Sequence, residues 1–438
     1  MNYNGKKLLV LAGAGPHSKV VEAAKEMGIY TIVADYLLAS VHSPAKLIAD
    51  ENLTKNIYDV AGLVEYGRQN QIDGVLDFCI DPAQRPAQEI GEILGVPTFG
   101  NHEQVIALTD KNVFKKLCKE SGVDIIQSYT EEDIESNRIE YPVLVKPVDS
   151  RGSRGAAVCN NVDELKRALP LAKKESTDGG AIIEKYMGNH TDLTISYIVK
   201  DGQPVLISLG DRYPGRKEDN LDRQLSCTIQ PSRFVDMFMK NVNGRIIHMI
   251  KRLGIMNGPV FFQGFEDGDT VRLYDPGLRF PGNEYERIFA KATGLDPMKS
   301  IISYCVGGEI LDYDGKYEGS HDLNGKVAIQ YMINVGPGTI ARFDGLDIIA
   351  GQPFVLDIQQ RHFVGETIEN TGDIKHRAGE ISIMVDRDVD KMTDAIQFVQ
   401  RTLRIDDPNG NSMIISPIDV EMVRKYYSET YKSDSKTI

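Results

Sequence analysis

The chain has 438 residues, 50 Lys plus Arg against 63 Asp plus Glu, and a formal charge of −13. This length predicts two to four domains, each large enough for its own core, and the acidic balance excludes attachment to nucleic acid through clustered cations. The five cysteines are scattered and lack a C-x-x-C pair, which reads as reduced thiols, and no apolar run approaches the ~20 residues that span a bilayer, so a cytoplasmic protein without a membrane partner is expected.

In chain order, Leu8, Leu9, Val10, Leu11 and Ala12 form a continuous apolar run, a strand, and Val20, Val21, Ala24 and Met27 then recur at helical spacing before Gly28. Further strands at residues 31–34 and 74–78 predict a small doubly wound α/β unit. The turn Gly13-Ala14-Gly15-Pro16-His17-Ser18, with Asp35 following the second strand, approaches a dinucleotide-binding fingerprint. Pro16 inside the turn and Ser18 in place of the third glycine depart from it, so an NAD-dependent oxidoreductase is the rival reading and a substrate-pocket loop the preferred one.

Asp110 is an N-cap, and Val113, Phe114, Leu117 and Cys118 form the apolar stripe of a helix closing at Gly122. Residues 142–147 predict a strand carrying Lys146 at its end. The glycine-rich stretch 149–155 and a strand at 156–159 follow, the pattern of a flap that covers phosphate. A strand ends in a turn at residues 181–188, another spans 193–199, and one helical stretch covers 234–253. A hairpin joins residues 260–263 to 271–275, and mixed α/β sequence runs from 338 to a polar tail at 433–438.

Several polar groups stand where chemistry is expected. Lys111 and Lys146 are fixed cations of the kind a triphosphate needs, or else solvated surface lysines. Gly155, with Ser153 and Arg154, belongs to a loop whose backbone N–H groups can approach phosphate oxygens. Gln263 and Asp275 lie twelve residues apart across the hairpin and offer the oxygen ligands a hard divalent cation prefers. Arg279 follows Asp275 by four residues and, as a structural group, would pair with it. Arg212, Tyr213 and Arg216 suit a substrate carboxylate, as they would an exposed polar loop.

Taken in order, Asp110-Lys111, Lys146, residues 150–155, Glu184-Lys185-Tyr186 and residues 263–279 resemble the ATP-grasp superfamily, above all the carbamoyl-phosphate synthetase large subunit, biotin carboxylase and L-amino-acid ligase group. The resemblance spans roughly residues 5–410 and includes a biotin-carboxylase-like piece at Gly338-Thr339-Ile340. It implies an α/β architecture with an N-terminal doubly wound domain (1–105), an ATP-grasp lid lobe (106–190), a central lobe (191–337) and a C-terminal mixed α/β domain (338–438). It further implies ATP with Mg²⁺, or Mn²⁺, and small carboxylate and amine substrates, and it is compatible with a homodimer. Lys111, Lys146, Ser153, Arg154 and Gly155 would meet the phosphates, and Glu184, Lys185, Tyr186 and Met187 the adenine. Asp192 would meet the ribose, Gln263 and Asp275 the metal, and Arg279 with Lys146 the transferring phosphoryl group. Gly277 stands where the family has Asn. The implied activity is carboxylate–amine ligation through an acyl phosphate. A phosphoribosylamine–glycine-ligase-like or carbamoyl-phosphate-forming enzyme and a non-catalytic nucleotide-binding module remain alternatives.

Overall fold

The computed structural model describes residues 3–148, 155–176, 179–215, 224–282, 285–311, 315, 317–369 and 376–434. The first apolar runs become Lys7–Leu11, Tyr30–Asp35 and Gly74–Asp77, joined by Glu51–Thr54 into a four-stranded parallel sheet. Lys7–Leu11, Tyr30–Asp35 and Gly74–Asp77 are mostly apolar and buried, as central strands of a parallel sheet covered on its faces are, whereas Glu51–Thr54 at the edge is polar and half-exposed. The helix Gly15–Glu26 buries Val20, Val21 and Ala24, and Pro16 sits in its first turn, where a missing N–H removes no bond.

A second, antiparallel sheet of four strands forms a lobe of its own: Ser128–Tyr129, Ala181–Lys185, Val143–Pro147 and Ala157–Cys159, in that spatial order. Its covering helix, Val162–Glu175, buries Leu165, Leu169 and Ala172.

The largest sheet has nine strands. From one edge it runs Thr270–Gly277, Gly258–Asp267, Asp192–Lys200, Gln203–Pro214, Leu225–Gln230, Lys326–Val335, Arg377–Asp386 and Val355–Gln360, with Ile414–Ile415 beside Lys326–Val335. It therefore continues across the expected 337/338 boundary: Lys326–Val335 pairs with Arg377–Asp386. The C-terminal helix Val420–Asp434 is tied back to this sheet by Tyr427, whose hydroxyl donates to the buried Asp211 carboxylate at 2.6 Å. Residues 234–253 are two helices, not one. Val235–Asn241 and Asn243–Leu253 meet at Val242, where φ −118° and ψ −45° interrupt the regular helix. Among the described residues no helix is long and apolar enough to cross a membrane.

Candidate functional site

Lys146 stands near the end of the strand Val143–Pro147 and meets Glu184 on the paired strand, Nζ to Oε2 at 2.8 Å. Lys115, one turn into the helix Lys111–Glu120, reaches the other carboxylate oxygen at 2.5 Å and donates to Ser128 Oγ at 2.7 Å. Glu184 is 3% exposed. Burial alone would raise its carboxyl, yet Lys146 and then Lys115 outweigh burial and hold it below the usual range. Lys115 escaped the sequence reading, although its position four residues after Lys111 puts both on one helix face.

The turn after Glu184 is held by its backbone. The Lys185 amide donates to Gln127 O and the Tyr186 amide to Pro142 O, both at 2.9 Å. Among the described residues the Met187 amide is left without a partner, while its side chain is buried. Asp192 begins the next strand and accepts from Arg212 on the neighbouring strand and from the Tyr274 hydroxyl at 3.0 Å. Burial pushes the Asp192 carboxyl up to about 6, against the pull of Arg212 and Tyr274. Arg212 is thus engaged by Asp192, and Tyr213 by Asp211 at 3.0 Å.

Gln263 and Asp275 face one another directly across the hairpin. Burial raises the Asp275 carboxyl although Lys111 opposes it, which places the Lys111 ammonium within electrostatic reach. Among the described residues no three His, Cys, Asp or Glu side chains cluster to hold a metal. The oxygen pair Gln263 and Asp275 still fits one hard cation that shares its remaining ligands with phosphate and water.

Gly277 has a steric explanation. A Cβ there would lie 2.3 Å from Phe261 Cε1, because the Phe261 ring fills the space an asparagine side chain would occupy. Gly277→Asn is expected to destabilise the protein by about 1–3 kcal/mol through overpacking, measured by urea denaturation, and in a Phe261→Ala background, itself destabilised by loss of a buried ring, the added cost of Gly277→Asn should largely vanish. An unchanged midpoint in the single variant would show that the ring moves freely.

The Arg279 guanidinium stacks on that same Phe261 ring at 4.4 Å. Its carboxylate partner is Asp81, not Asp275: Nε lies 2.9 Å from Asp81 Oδ1, and Nη1 donates to Phe280 O at 2.8 Å. Asp81 opens the helix Asp81–Leu94, which follows the strand Gly74–Asp77 of the parallel sheet, so this bond ties that helix to the end of the hairpin. Nearby, Asp77 ends a strand of the parallel sheet with Oδ2 buried and unpartnered. Burial raises its carboxyl to about 7. A group that keeps its proton in the folded chain opposes folding once the unfolded chain ionises, so stability falls as pH rises from about 4 to 7. Asp77→Asn should match the parent chain near pH 4 and exceed it at pH 8 by an amount on the order of a few kcal/mol. Parallel pH–stability curves for the two proteins would contradict this.

Ser153, Arg154 and Arg216 lie outside the described residues. Gly155 has φ +71°, and a Cβ would meet Pro147 Cγ and Glu175 Cβ at 3.0 Å. In the first turn of the chain, the Asp35 carboxylate accepts from the Gly13 amide at 2.7 Å and the Leu37 amide at 2.8 Å. Its oxygens therefore serve the loop itself, which disfavours the ribose contact of a dinucleotide site. Gly15 abuts Gln359 of the far sheet edge, where a Cβ would stand 2.7 Å from the side-chain amide.

The chain is similar in sequence and in fold to known proteins. Residues 110–262 match the family "Carbamoyl-phosphate synthase L chain, ATP binding domain". The chain is 24% identical over 231 residues to the carbamoyl phosphate synthase large chain of Xylella fastidiosa, covering 50% of this chain and 21% of that one. It is also 24% identical over 327 residues to the formate-dependent phosphoribosylglycinamide formyltransferase of Prochlorococcus marinus, covering 69% and 80% respectively. Among solved structures, the L-amino acid ligase of Bacillus licheniformis superposes with a TM-score of 0.73 at 18% identity, over 93% of this chain and 100% of that one. The biotin carboxylase domain of the Hydrogenobacter thermophilus 2-oxoglutarate carboxylase, solved with MgADP and bicarbonate, gives 0.72 at 21% identity, over 98% and 95%. The solved structures show an ATP-grasp fold for the chain, and its residues 110–262 are similar to the carbamoyl-phosphate-synthase-type ATP-binding domain.

Proposed function

We propose that this ATP-grasp chain is an ATP-dependent carboxylate–amine ligase that works through an acyl phosphate. The observation that carries the reading is the placement of Gln263 and Asp275 opposite one another, with Lys111 within reach of Asp275 and Arg279 beside them on the same hairpin. Cations and oxygen ligands gathered at one hairpin suit a triphosphate and its metal.

In this reading the Met187 amide and the apolar Met187 side chain meet the adenine, Lys185 and Tyr186 shape the turn, and Asp192 with Arg212 faces the ribose. Glu184 positions Lys146 and Lys115, and Lys146 and Lys111 offset phosphate charge with the backbone of Ser153, Arg154 and Gly155. Mg²⁺ or Mn²⁺ held by Gln263 and Asp275 would shield the phosphate oxygens. The substrate carboxylate oxygen attacks the γ-phosphorus and ADP leaves. The amine nitrogen then displaces phosphate from the acyl carbon, while Arg279 stabilises charge on the transferring group. No protein nucleophile is required.

The deciding experiment is release of ADP and phosphate across a panel of carboxylates paired with amines, using hydroxylamine as a general acceptor. The reading requires turnover that depends on a carboxylate. Nucleotide binding with no substrate-dependent ADP release would leave the non-catalytic module, and tighter binding of NAD than of ATP would leave the oxidoreductase.

A further inference from the structure

One face of the nine-stranded sheet is polar from the hairpin to its far strands. Register places Gln263 beside Thr194, and Asp192, Arg212, Thr228, Gln330 and Ser382 in one row across five strands. Paired residues in a sheet share a face. Side-chain oxygens or nitrogens of Thr194, Ser196, Thr228 and Gln330 are buried and lack partners among the described residues. Such unmet buried polar groups suit a face that meets polar contents, since burying them dry is costly.

At the far end of this face stand Arg361, Arg377 and Glu380. Arg361 Nη2 and Arg377 Nη1 both donate to the same oxygen, Glu380 Oε1, at 2.6 and 3.1 Å. The Glu380 side chain is 4% exposed, and its second oxygen, Oε2, has no partner among the described residues. Both guanidinium Nε atoms are also unpartnered. Arg377 therefore turns its Nε edge, the two-pronged edge that matches a carboxylate, away from Glu380. Among the described residues two cations share one carboxylate, so a positive charge is left over at a partly buried place, where an uncompensated charge is destabilising. Burial, with Arg361 and Arg212 adding to it, depresses the Arg377 guanidinium despite Glu380, the direction expected of a cation short of anions.

We infer that Arg361, Arg377 and Glu380 form a subsite for a zwitterionic α-amino acid, which rests on the ligase reading and names its substrate class. The amino acid carboxylate lies against the free guanidinium edges, and its ammonium against Glu380 Oε2. A simple anion would meet the arginines and leave Glu380 Oε2 unmet and repelled. A simple amine would leave the surplus cation unmet. Only a ligand with both charges one carbon apart answers both.

The test is calorimetric titration of the full chain, with and without Mg²⁺ and the non-hydrolysable ATP analogue AMP-PNP, using the twenty L-amino acids. The strongest binder is then compared with its des-amino acid and its decarboxylated amine. Each analogue should bind about tenfold or more weakly, the loss expected for one unpaired charged contact. Glu380→Gln should weaken the amino acid and not the des-amino acid, and Arg377→Gln should weaken both. Arg361→Gln serves if Arg377→Gln does not fold. Equal affinity for amino acid and des-amino acid, or no amino acid binding by a chain that binds AMP-PNP, overturns the inference. Absence of AMP-PNP binding would sink the ligase reading instead, and the titration without nucleotide still decides this subsite.

Discussion

Arg279→Ala is expected to lower kcat by about 10² or more while KM for ATP changes little. The guanidinium has five N–H donors, of which Asp81 and Phe280 O take three, Nε, Nη2 and Nη1. Two remain for charge that develops on the transferring phosphoryl group. Interactions made only with that charge stabilise the transition state and leave ground-state binding of ATP alone. The substitution also removes a side chain that is 6% exposed and unstacks Phe261. It does not strand a buried anion, because Asp81 is 61% exposed, so a folded protein with modestly reduced stability is expected. Turnover must accordingly be expressed per folded molecule, and Arg279→Lys, which keeps charge without the fork, should recover only part of the loss. Full turnover by folded Arg279→Ala would reduce the residue to a tie between the helix Asp81–Leu94 and the hairpin.

Lys146→Met should weaken MgATP binding by about 10- to 100-fold, the range for losing a hydrogen bond to a charged group in a partly buried site. Its partner gives a sharper contrast. Glu184→Gln leaves Lys146 and Lys115 facing each other without their common anion. Removing one side of a buried pair is strongly destabilising, discounted here because both lysines are about one-fifth exposed, so a loss on the order of 1–3 kcal/mol is expected. If Glu184 acts by positioning the lysines, the variant keeps or raises its affinity for nucleotide, since phosphate can replace the lost carboxylate. If the carboxylate reads the adenine itself, affinity falls. The pH dependence has a fixed sign: the depressed Glu184 carboxyl contributes stability that is present above its ordinary value of 4.5 and is lost as pH falls through its folded value. Glu184→Gln should flatten that acid limb.

The sequence by itself determined the local elements. Continuous apolar runs became the parallel strands, the Asp110 cap and the 113–118 stripe became a helix, and Lys111, Lys146, Glu184, Gln263, Asp275 and Arg279 were singled out as candidates by the order of motifs along the chain. Even the polar face was partly legible, since Asp192, Thr194 and Ser196 alternate with Leu193, Ile195 and Tyr197 along one strand. What only the tertiary structure decided was which charged group meets which. Arg279 finds Asp81 across 198 positions and Lys115 finds Glu184 across 69. Phe261 occupies the room that makes Gly277 necessary, and strands far apart in the chain align their polar side chains into one surface ending at Arg377 and Glu380. Periodicity reports how a segment buries its own side, because that is set by the chain's repeat of two or 3.6 residues. Strand register and ion-pair partners are set by neighbours distant in sequence, and no local repeat encodes them.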